Sequence, residues 1–479
     1  MSSASAPRKY AEKEAFVTGH DGTTPLEIFL LCLAVPIGLN LYSKLTVRHA
    51  NKRYNWTEIA IEFATLVLPN LILQTSLLPY VTGPIMLHIF MSVLSYILPN
   101  HKQSTTDDQT KNTNMIINRP PFLTVHRATI YIQTAIAILA VDFPIFPRRY
   151  CKTEVDGYGW MDLGAASFII MAGWSSSSSN TASNTNLSTI KSMKKAVVKC
   201  TPLFLLGIIR LITIKGVEYQ EHVSEYGVHW NFFFTLCFVE GSMVAWKYIK
   251  SRCVSFTLPW DGILACSLML TYQLYLSIVG GQDFIENGSR QCSSDDDSTW
   301  LSLCSVFVAN REGILGIVGY LSLRLLSEST ARYCIWSTVD PSTITKLRQR
   351  RLFIASMAFW TVHFFLTSIL GVPNSRRSTN VSFIFWSMAQ NTSVLCLIHV
   401  AMTSGGESAP SAPRIFNSIN KFGLPFFFVS NILTGLVNLL LDTIHASNAR
   451  AMMVLSVYLM TVCALPLLLD KIFDKKKLS

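Results

Sequence analysis

An acidic side chain follows a mostly apolar run and precedes a stiff, basic segment. Asp142 follows the run 130–141, and two prolines three residues apart, Pro144 and Pro147, stop the helix and stiffen the chain beyond it. Three cations come next: Arg148, Arg149 and Lys152. A carboxylate at membrane depth costs about 2.5–3.5 kcal/mol unless it is paired or faces a cavity. Asp142 is therefore either half of a structural salt bridge with one of these cations or a general base beside a phosphate-binding arginine pair.

A second polar segment, residues 217–231, opens directly onto an apolar run. It carries three carboxylates, two histidines and two tyrosines. Histidines exchange protons near neutral pH, and tryptophan and tyrosine suit a membrane interface. Taken singly, such residues are usually satisfied interfacial groups, whereas together they indicate the polar floor of a cavity. The candidate site residues of this segment are Glu218, His222, His229, Trp230 and Asn231.

Two further polar groups interrupt or adjoin apolar runs. The sequence Asn310-Arg311-Glu312-Gly313 stands inside a run, where neighbouring charges must face protein or water. A double arginine, Arg376 and Arg377, precedes another run. Asn310 and these three arginines are candidates for substrate binding, the arginines through phosphate groups. A small-polar stripe lies on one helical face and favours close helix packing; it consists of Asn431, Thr434, Gly435 and Asn438.

Membrane-spanning helices are the elements that must position these residues. Half of the 479 residues are hydrophobic and 14% are charged, whereas soluble domains have about 25% charged residues. Apolar runs of roughly 17–25 residues, the length that crosses a bilayer, recur along the chain, and in lipid they must be helical. The sequence predicts an all-α, polytopic transmembrane helical bundle of about thirteen helices, at residues 25–42, 59–78, 82–98, 128–146, 160–174, 196–214, 229–248, 259–280, 301–323, 352–372, 382–403, 422–442 and 450–469.

The net charge of +11 lies mostly in alternate short loops between these runs. This distribution is typical of the positive-inside rule and argues against nucleic-acid binding. It predicts a polar lumenal segment at residues 1–24, a multi-span membrane domain at 25–469 and a cytosolic tail at 470–479. The tail ends in Lys476-Lys477-Leu478-Ser479, which has the form of a dilysine retrieval signal for the endoplasmic reticulum; an ordinary positive flank is the alternative. Asp142, the segment 217–231 and the double arginine then face the lumen.

Several familiar reactive-site patterns are absent from the sequence. There is no G-x-S-x-G elbow, no Walker loop and no zinc-ligand spacing. The eleven cysteines lie mostly within apolar runs, without the spacing of metal ligands, and their odd number argues against a complete disulfide framework. A covalent serine or cysteine intermediate therefore has no support in the sequence.

The same residues resemble the hallmark segments of the glycosylphosphatidylinositol (GPI) inositol acyltransferases, the PIG-W type of fungi and animals. The resemblance lies in the segments 137–149 with Lys152, 218–222, 225–231 and 310–313, and further similar segments are 160–164, 375–377 and 430–438. Departures from the family pattern lie in the serine-rich loop after Trp174, in the acidic loop near Asp295 and after Arg377.

The resemblance implies a many-helix enzyme of the endoplasmic reticulum membrane whose active site opens to the lumen. Palmitoyl-CoA would be the donor, glucosaminyl-phosphatidylinositol the acceptor, and the 2-hydroxyl of inositol the group esterified. Asp142 matches the general base and Lys152 its catalytic partner. The phosphates of CoA or inositol would meet the arginines, namely Arg148, Arg149, Arg311, Arg376 and Arg377. Acyl-CoA is a co-substrate, so no cofactor is expected, and membrane lipids are the remaining partners.

Two other classes of protein share some of these features. A secondary transporter or lipid flippase would also place charges within membrane helices, although the two halves of this sequence show no repeat. A membrane-bound O-acyltransferase acting on another alcohol would carry a lone buried histidine in a characteristic motif, which is not evident. Incubation with labelled acyl-CoA and glucosaminyl-phosphatidylinositol discriminates between these possibilities.

Overall fold

The computed structural model describes residues 15–16, 18–46, 56–76, 81–98, 120–176, 189–217, 223–253, 259–290, 299–336, 341–404 and 411–478. These residues are mainly helical, and the one β-type pairing among them is an isolated bridge between Gly22 and Tyr158. The chain divides into two compact units, which we name after a candidate residue in each. The Asp142 unit comprises Thr23–Cys151, Pro341–Phe353 and Thr392–Ser479, and the Lys152 unit comprises Met1–Gly22, Lys152–Asp340 and Ile354–Asn391.

Nineteen helices follow one another in the described part of the chain. Before the segment that carries Asp142 they are α1 Pro25–Cys32, α2 Ala34–Leu45, α3 Trp56–Glu62, α4 Leu68–Leu73, α5 Thr82–Ile97 and α6 Pro121–Ala140. After it come α7 Trp160–Ser176, α8 Thr189–Val217, α9 Val223–Tyr226, α10 Phe232–Cys253, α11 Trp260–Ile278, α12 Gly281–Asn287, α13 Thr299–Ala309, α14 Arg311–Cys334, α15 Pro341–Phe364, α16 Val381–Thr403, α17 Arg414–Lys421, α18 Gly423–Leu440 and α19 Asn448–Leu478. A 3₁₀ turn covers Arg148–Tyr150, and π-helical turns cover Phe63–Val67 and Phe365–Ile369.

Local sequence explains where the helices next to the candidate residues begin. At α1, Thr24 Oγ1 accepts from the Glu27 backbone N–H at 3.2 Å, and Pro25 occupies the first helical position, where its missing N–H is not needed. At α10, Asn231 Oδ1 accepts from the backbone N–H groups of Phe233 and Phe234 at 3.1 and 3.3 Å. Asn231, a predicted substrate-binding residue, is therefore the N-cap of α10.

The structure confirms the predicted fold class. Within the described residues, nine helical stretches are long and apolar enough to cross a membrane: Pro25–Leu45, Trp56–Leu73, Pro121–Ala140, Phe232–Arg252, Trp260–Ile278, Ile344–Ile369, Val381–Thr403, Gly423–Leu440 and Asn448–Phe473. Thr82–Ile97 and Cys200–Ile212 are shorter apolar helices. The number thirteen stays a prediction.

One predicted span differs in continuity from the structure. The run 301–323 was expected to form a single helix, but it breaks at Asn310 between α13 and α14. The backbone of Asn310 has φ −122° and ψ 24°, outside the helical range, and Ala309 O accepts a hydrogen bond from Val228 N at 3.0 Å. The contact with the loop that contains Val228, about 80 residues earlier in the chain, thus accounts for a break that hydropathy does not reveal.

Each unit has its own packed centre. In the Lys152 unit, α14 packs against α7, α10 and α11. In the Asp142 unit, α6 packs against α17, α18 and α19, and α2 packs against α5. The amphipathic helix α17 buries Ile415, Phe416 and Ile419 on one face, although its residues were left between two predicted spans.

Candidate active site

Asp142 lies two residues beyond the end of α6, in the Asp142 unit. Its Oδ2 accepts a hydrogen bond from Asn438 Nδ2 at 2.7 Å, and Asn438 Oδ1 accepts from Thr443 Oγ1 at 3.3 Å. The carboxylate is partly exposed. Asn438 on α18 belongs to the predicted packing stripe, whose members Asn431 and Thr434 donate to carbonyls of their own helix. The sequence pattern thus included Asn438 without revealing that it positions Asp142.

Arg148 holds the turn that carries Asp142. Its guanidinium donates to the backbone carbonyls of Val141 and Phe143, both at 2.9 Å, and to that of Phe146 at 2.8 and 3.0 Å. Burial lowers the pKa of Arg148, and Cys151 and Asp142 oppose this shift. Arg148 was predicted to bind phosphate, whereas in the structure its donors are directed at these carbonyls.

Arg149 is committed to a buried ion pair. Its Nε and Nη2 donate to Glu27 Oε1 at 3.0 and 2.9 Å, and the Tyr150 hydroxyl donates to the same oxygen at 2.8 Å. The Glu27 side chain is fully buried. This bidentate contact attaches the segment after Asp142 to α1, so Arg149 has a structural partner that the sequence did not indicate.

Lys152 pairs with Glu225 in the Lys152 unit. The Lys152 ammonium lies 2.5 Å from Glu225 Oε2, and the guanidinium of Arg376 binds Oε1 of the same carboxylate. Burial alone would raise the pKa of Glu225, but Arg376 and Lys152 together hold it well below its usual range. Glu225 is thus an anionic anchor between two cations, and it was missed as a site residue although it lies in the segment that the sequence singled out.

Arg376 links Glu225 to a second carboxylate. It contacts Asp162 Oδ1 at 3.5 Å, donates to the Tyr226 hydroxyl at 2.9 Å and lies over the Tyr226 ring. Asp162, in the first turn of α7, also accepts from the backbone N–H and the hydroxyl of Thr153 at 3.1 and 2.9 Å. Two cations and two carboxylates therefore converge here.

Backbone pairing fixes the segment that follows Lys152. On one side, Gly22 bridges Tyr158 and the His20 carbonyl accepts from Glu154 N at 3.3 Å. On the other, the Asn374 carbonyl accepts from Gly157 N at 2.8 Å, and Ser375 Oγ donates to the Val155 carbonyl at 2.6 Å. The segments 19–22 and 374–375 thus hold residues 153–158 between them.

The structure brings two of the predicted motifs together. His229 N donates to Asn310 Oδ1 at 2.7 Å, which joins the segment 225–231 to the break before α14. Gly227 has φ +106°, and a Cβ there would lie 2.5 Å from Asn310 Cα, so this approach requires glycine. Trp230 donates to Thr235 Oγ1 at 2.9 Å. His229 is exposed, whereas Glu218 and His222 lie outside the described residues.

Glu312 gathers three arginines at the start of α14. Its Oε1 lies 2.6 Å from Arg290 Nη2, 3.2 Å from Arg377 Nη2 and 3.8 Å from Arg311 Nε. Arg311 is 2% exposed and donates to the carbonyls of Ile285 and Ser289. Of the two arginines predicted here as phosphate ligands, Arg377 is 11% exposed and thus more accessible than Arg311. Arg290, which is 30% exposed, was not predicted.

Asp142 and Lys152, predicted as a catalytic pair, have their own partners within their respective units: Asn438 for Asp142 and Glu225 for Lys152. Their catalytic roles stay predictions. Among the described residues, no three His, Cys, Asp or Glu side chains are grouped as metal ligands would be. The Asp142 unit thus offers a carboxylate that accepts from an amide and interacts with Arg148, and the Lys152 unit offers an ammonium anchored by a second carboxylate.

Comparison with known proteins gives a consistent result over most of the chain. The GWT1 family model matches residues 9–469. GPI-anchored wall transfer protein 1 of Aspergillus fumigatus is 32% identical over 94% of this chain and 95% of its own length. The protein of that name in Candida albicans is 28% identical over 96% and 97%, and that of Yarrowia lipolytica is 33% identical over 73% and 72%.

Proposed function

Because the chain belongs to the GWT1 family, we propose that it acts in GPI-anchor biosynthesis as an inositol acyltransferase. The reaction moves a palmitoyl group from palmitoyl-CoA to the 2-hydroxyl of inositol in glucosaminyl-phosphatidylinositol. Its relatives are named as GPI-anchored wall transfer proteins, which supports the pathway. The choice of reaction rests on the residues that resemble inositol acyltransferases and on the way the structure holds two of them.

The observation that carries the proposal is the contrast between two carboxylates. Glu225 lies between Lys152 and Arg376, and this lowers its pKa and its basicity. Asp142 accepts from the amide of Asn438, is partly exposed, and interacts electrostatically with the cation Arg148, whose donors also bind backbone carbonyls. Groups whose surroundings differ in this way take different parts in acid–base chemistry. Asp142 is thus suited to accept a proton, and Glu225 is suited to hold a cation in place.

The proposed reaction requires one proton transfer and one acyl transfer. Asp142 removes the proton of the inositol 2-hydroxyl as the oxygen attacks the thioester carbonyl of palmitoyl-CoA. Lys152, held by Glu225, stabilises the oxyanion of the tetrahedral intermediate. The carbon–sulfur bond then breaks, the CoA thiolate takes the proton from Asp142, and an inositol ester and free CoA remain.

The arginines divide by accessibility in this proposal. Arg290 and Arg377, which share the buried Glu312, are the better placed to receive a phosphate of either substrate. Arg311 and Arg148 donate mainly to backbone carbonyls, so they shape the loops around the site.

We place the reaction at the lumenal face of the endoplasmic reticulum membrane. The loop charges give this orientation. A separate observation supports it: Cys304 on α13, the helix that leads to Asn310, is disulfide-bonded. Disulfides persist in oxidising compartments such as the lumen and are rare in the cytosol.

The test uses the purified full-length chain with labelled palmitoyl-CoA and glucosaminyl-phosphatidylinositol. We expect a labelled glycolipid whose label is released by mild alkali, as an ester requires. A parallel reaction with an acceptor methylated at the inositol 2-hydroxyl should give no product. The proposal would be contradicted if the blocked acceptor were labelled as well as the natural one. It would also be contradicted if the purified chain formed no labelled glycolipid from the two substrates.

A transporter or flippase remains the second candidate, and the break at Asn310 with buried charges along α14 favours it. Broken helices and intramembrane charges are features of transporters. Such a protein would move labelled glycolipid across a proteoliposome bilayer without forming an ester. Proteoliposomes made with the purified chain therefore distinguish the two functions: an acyltransferase forms a labelled ester, and a transporter only moves the glycolipid.

A further inference from the structure

A network of seven charged side chains lies in the Lys152 unit, largely toward the C-terminal ends of α10 and α14. Its cations are Lys247, Lys250, Arg324 and Arg332, and its carboxylates are Glu240, Asp261 and Glu328. The network is separate from the arginine cluster around Glu312. Glu312 and Arg332 are 20 residues apart on α14, which corresponds to about 30 Å along a helix.

Two buried carboxylates share the cations of this network. Glu328, whose side chain is fully buried, lies 2.9 Å from Arg332, 3.0 Å from Arg324 and 3.4 Å from Lys247. Asp261 lies 2.8 Å from Lys250, also pairs with Arg332, and accepts from Trp246 Nε1 at 2.6 Å. Because Arg332 contacts both carboxylates, the three outer cations form one connected group.

The signs of charge differ between the inside and the outside of the network. The carboxylates are buried, whereas Lys247, Lys250 and Arg332 are 33%, 16% and 36% exposed. Four cations and three carboxylates leave one positive charge in excess among these residues. A molecule that approaches from outside therefore meets three cations.

An ordinary positive-inside flank does not require this arrangement. Such a flank needs only basic residues near the membrane surface, and a buried carboxylate is costly unless it is well paired. Here the buried carboxylates come from three helices and hold the outer cations in fixed positions. Fixed positions are what a binding site needs, because less side-chain entropy is lost when a ligand binds.

We propose that Lys247, Lys250 and Arg332 bind the phosphate-bearing headgroup of an anionic phospholipid. Basic pockets between transmembrane helices on the cytoplasmic side bind such headgroups. This group lies between α10, α11 and α14, at the end that the loop charges predict to face the cytosol. The lipid would join three helices of the Lys152 unit and offset their excess positive charge.

The test is native mass spectrometry of the purified full-length chain with equal amounts of phosphatidylinositol and phosphatidylcholine. The wild type should retain phosphatidylinositol selectively. Lys247→Gln with Lys250→Gln should weaken that retention about 25-fold, since each basic group contributes about fivefold. Glu328 keeps Arg324 and Arg332 in this variant, and Asp261 keeps Arg332, so neither carboxylate is left without a cation.

Arg252→Gln with Lys194→Gln is the matched control. It removes the same charge from exposed positions that are not members of the network, and it should retain the lipid as the wild type does. An equal loss in both variants would show general surface electrostatics and overturn the proposal. Free coenzyme A forms the second arm: if it displaces the lipid from the wild type at comparable concentration, the ligand is a nucleotide phosphate and the lipid assignment is wrong. None of these readouts depends on acyl transfer.

Discussion

The carboxylates of Asp142 and Glu225 have different surroundings. Asn438 donates to Asp142, which also interacts electrostatically with Arg148, whereas two cations, Lys152 and Arg376, bind Glu225 and stabilise its ionised form. Substitution of each carboxylate by its amide should therefore separate a chemical role from an electrostatic one. The two substitutions are expected to differ in protein stability as well as in turnover.

Asp142→Asn should lower turnover by about 10²–10⁴-fold, the usual contribution of a general base. The protein should still accumulate, because the substituted side chain keeps an oxygen that can accept from Asn438. Lys152→Ala should also be severe, and the double variant little worse than either single one, since residues acting as a unit are not additive. Initial rates and protein levels in membranes measure this. Abundant Asp142→Asn protein with near-normal acyl transfer would exclude Asp142 as the base.

Glu225→Gln should destabilise the protein by roughly 3–5 kcal/mol, because it removes the anion that the buried Arg376 and the partly exposed Lys152 share. The pKa of Glu225 is lower in the folded chain than in the unfolded chain. The contribution of Glu225 to the free energy of unfolding is therefore complete above its unfolded-chain pKa of about 4.3, and it is lost as the pH falls through its folded-chain pKa. The gap in Tm between wild type and variant should thus be full at neutral pH and narrow in strong acid.

Asp156→Asn is the control for this experiment, since Asp156 is an exposed carboxylate in the segment after Lys152. It should change Tm little at any pH. A Glu225→Gln protein as stable as that control would mean that the ion pairs of Glu225 contribute nothing.

At the scale of elements, the segment 153–158 depends on partners from distant parts of the chain. Gly157 has φ +122°, and a Cβ there would lie 2.2 Å from the Asp21 carbonyl oxygen. No other residue type fits this close approach. The short segment 19–22, which precedes the first span, is thereby made part of the framework that holds Lys152.

Gly157→Ala should displace the segment 19–22 and reduce turnover at least about fivefold, because the backbone strain alone is about 1–3 kcal/mol. Hydrogen exchange of residues 153–158 should rise in the same protein. Gly435→Ala is the matched control, since a Cβ at Gly435 in α18 meets no atom within 4 Å. Equal turnover and exchange in both variants would show that this backbone pairing does not position Lys152.

The elements also show where sequence patterns stop being informative. Long apolar runs predicted most helices because their length and hydropathy are local properties. The break at Asn310 and the Lys152–Glu225 pair depend on residues brought together by folding. Helix α17, of eight residues, is too short for a span, and its buried face is defined by contacts with α6 and α19.

At the scale of the whole molecule, backbone pairing bears on the orientation in the membrane. Gly22 bridges Tyr158 within the Lys152 unit, so the chain is on one side of the membrane at both points. Between them lie the apolar stretches Pro25–Leu45, Trp56–Leu73, Thr82–Ile97 and Pro121–Ala140. Three of these are candidate spans and Thr82–Ile97 is a shorter apolar helix. If all four cross the membrane, as the sequence predicts, the chain returns to the side from which it started, which agrees with a lumenal position for both the N-terminal segment and Lys152.

Glycosylation tests this orientation directly. Of the five Asn-x-Ser/Thr sites, Asn55 and Asn186 are predicted to face the cytosol and lie outside the described residues. Asn380 and Asn391 are 1% and 4% exposed, so neither is accessible to the glycosylating enzyme. Asn287, at the end of α12, is exposed, and its amide donates only to Asp283 among the contacts described, at 2.8 Å.

We expect endoglycosidase treatment to shift the wild type on a gel and to leave Asn287→Gln unchanged, with Asn186→Gln as the control that still shifts. A glycan on Asn186 would reverse the orientation and place Lys152 in the cytosol, where the substrate acyl-CoA is made but where a disulfide at Cys304 would not persist.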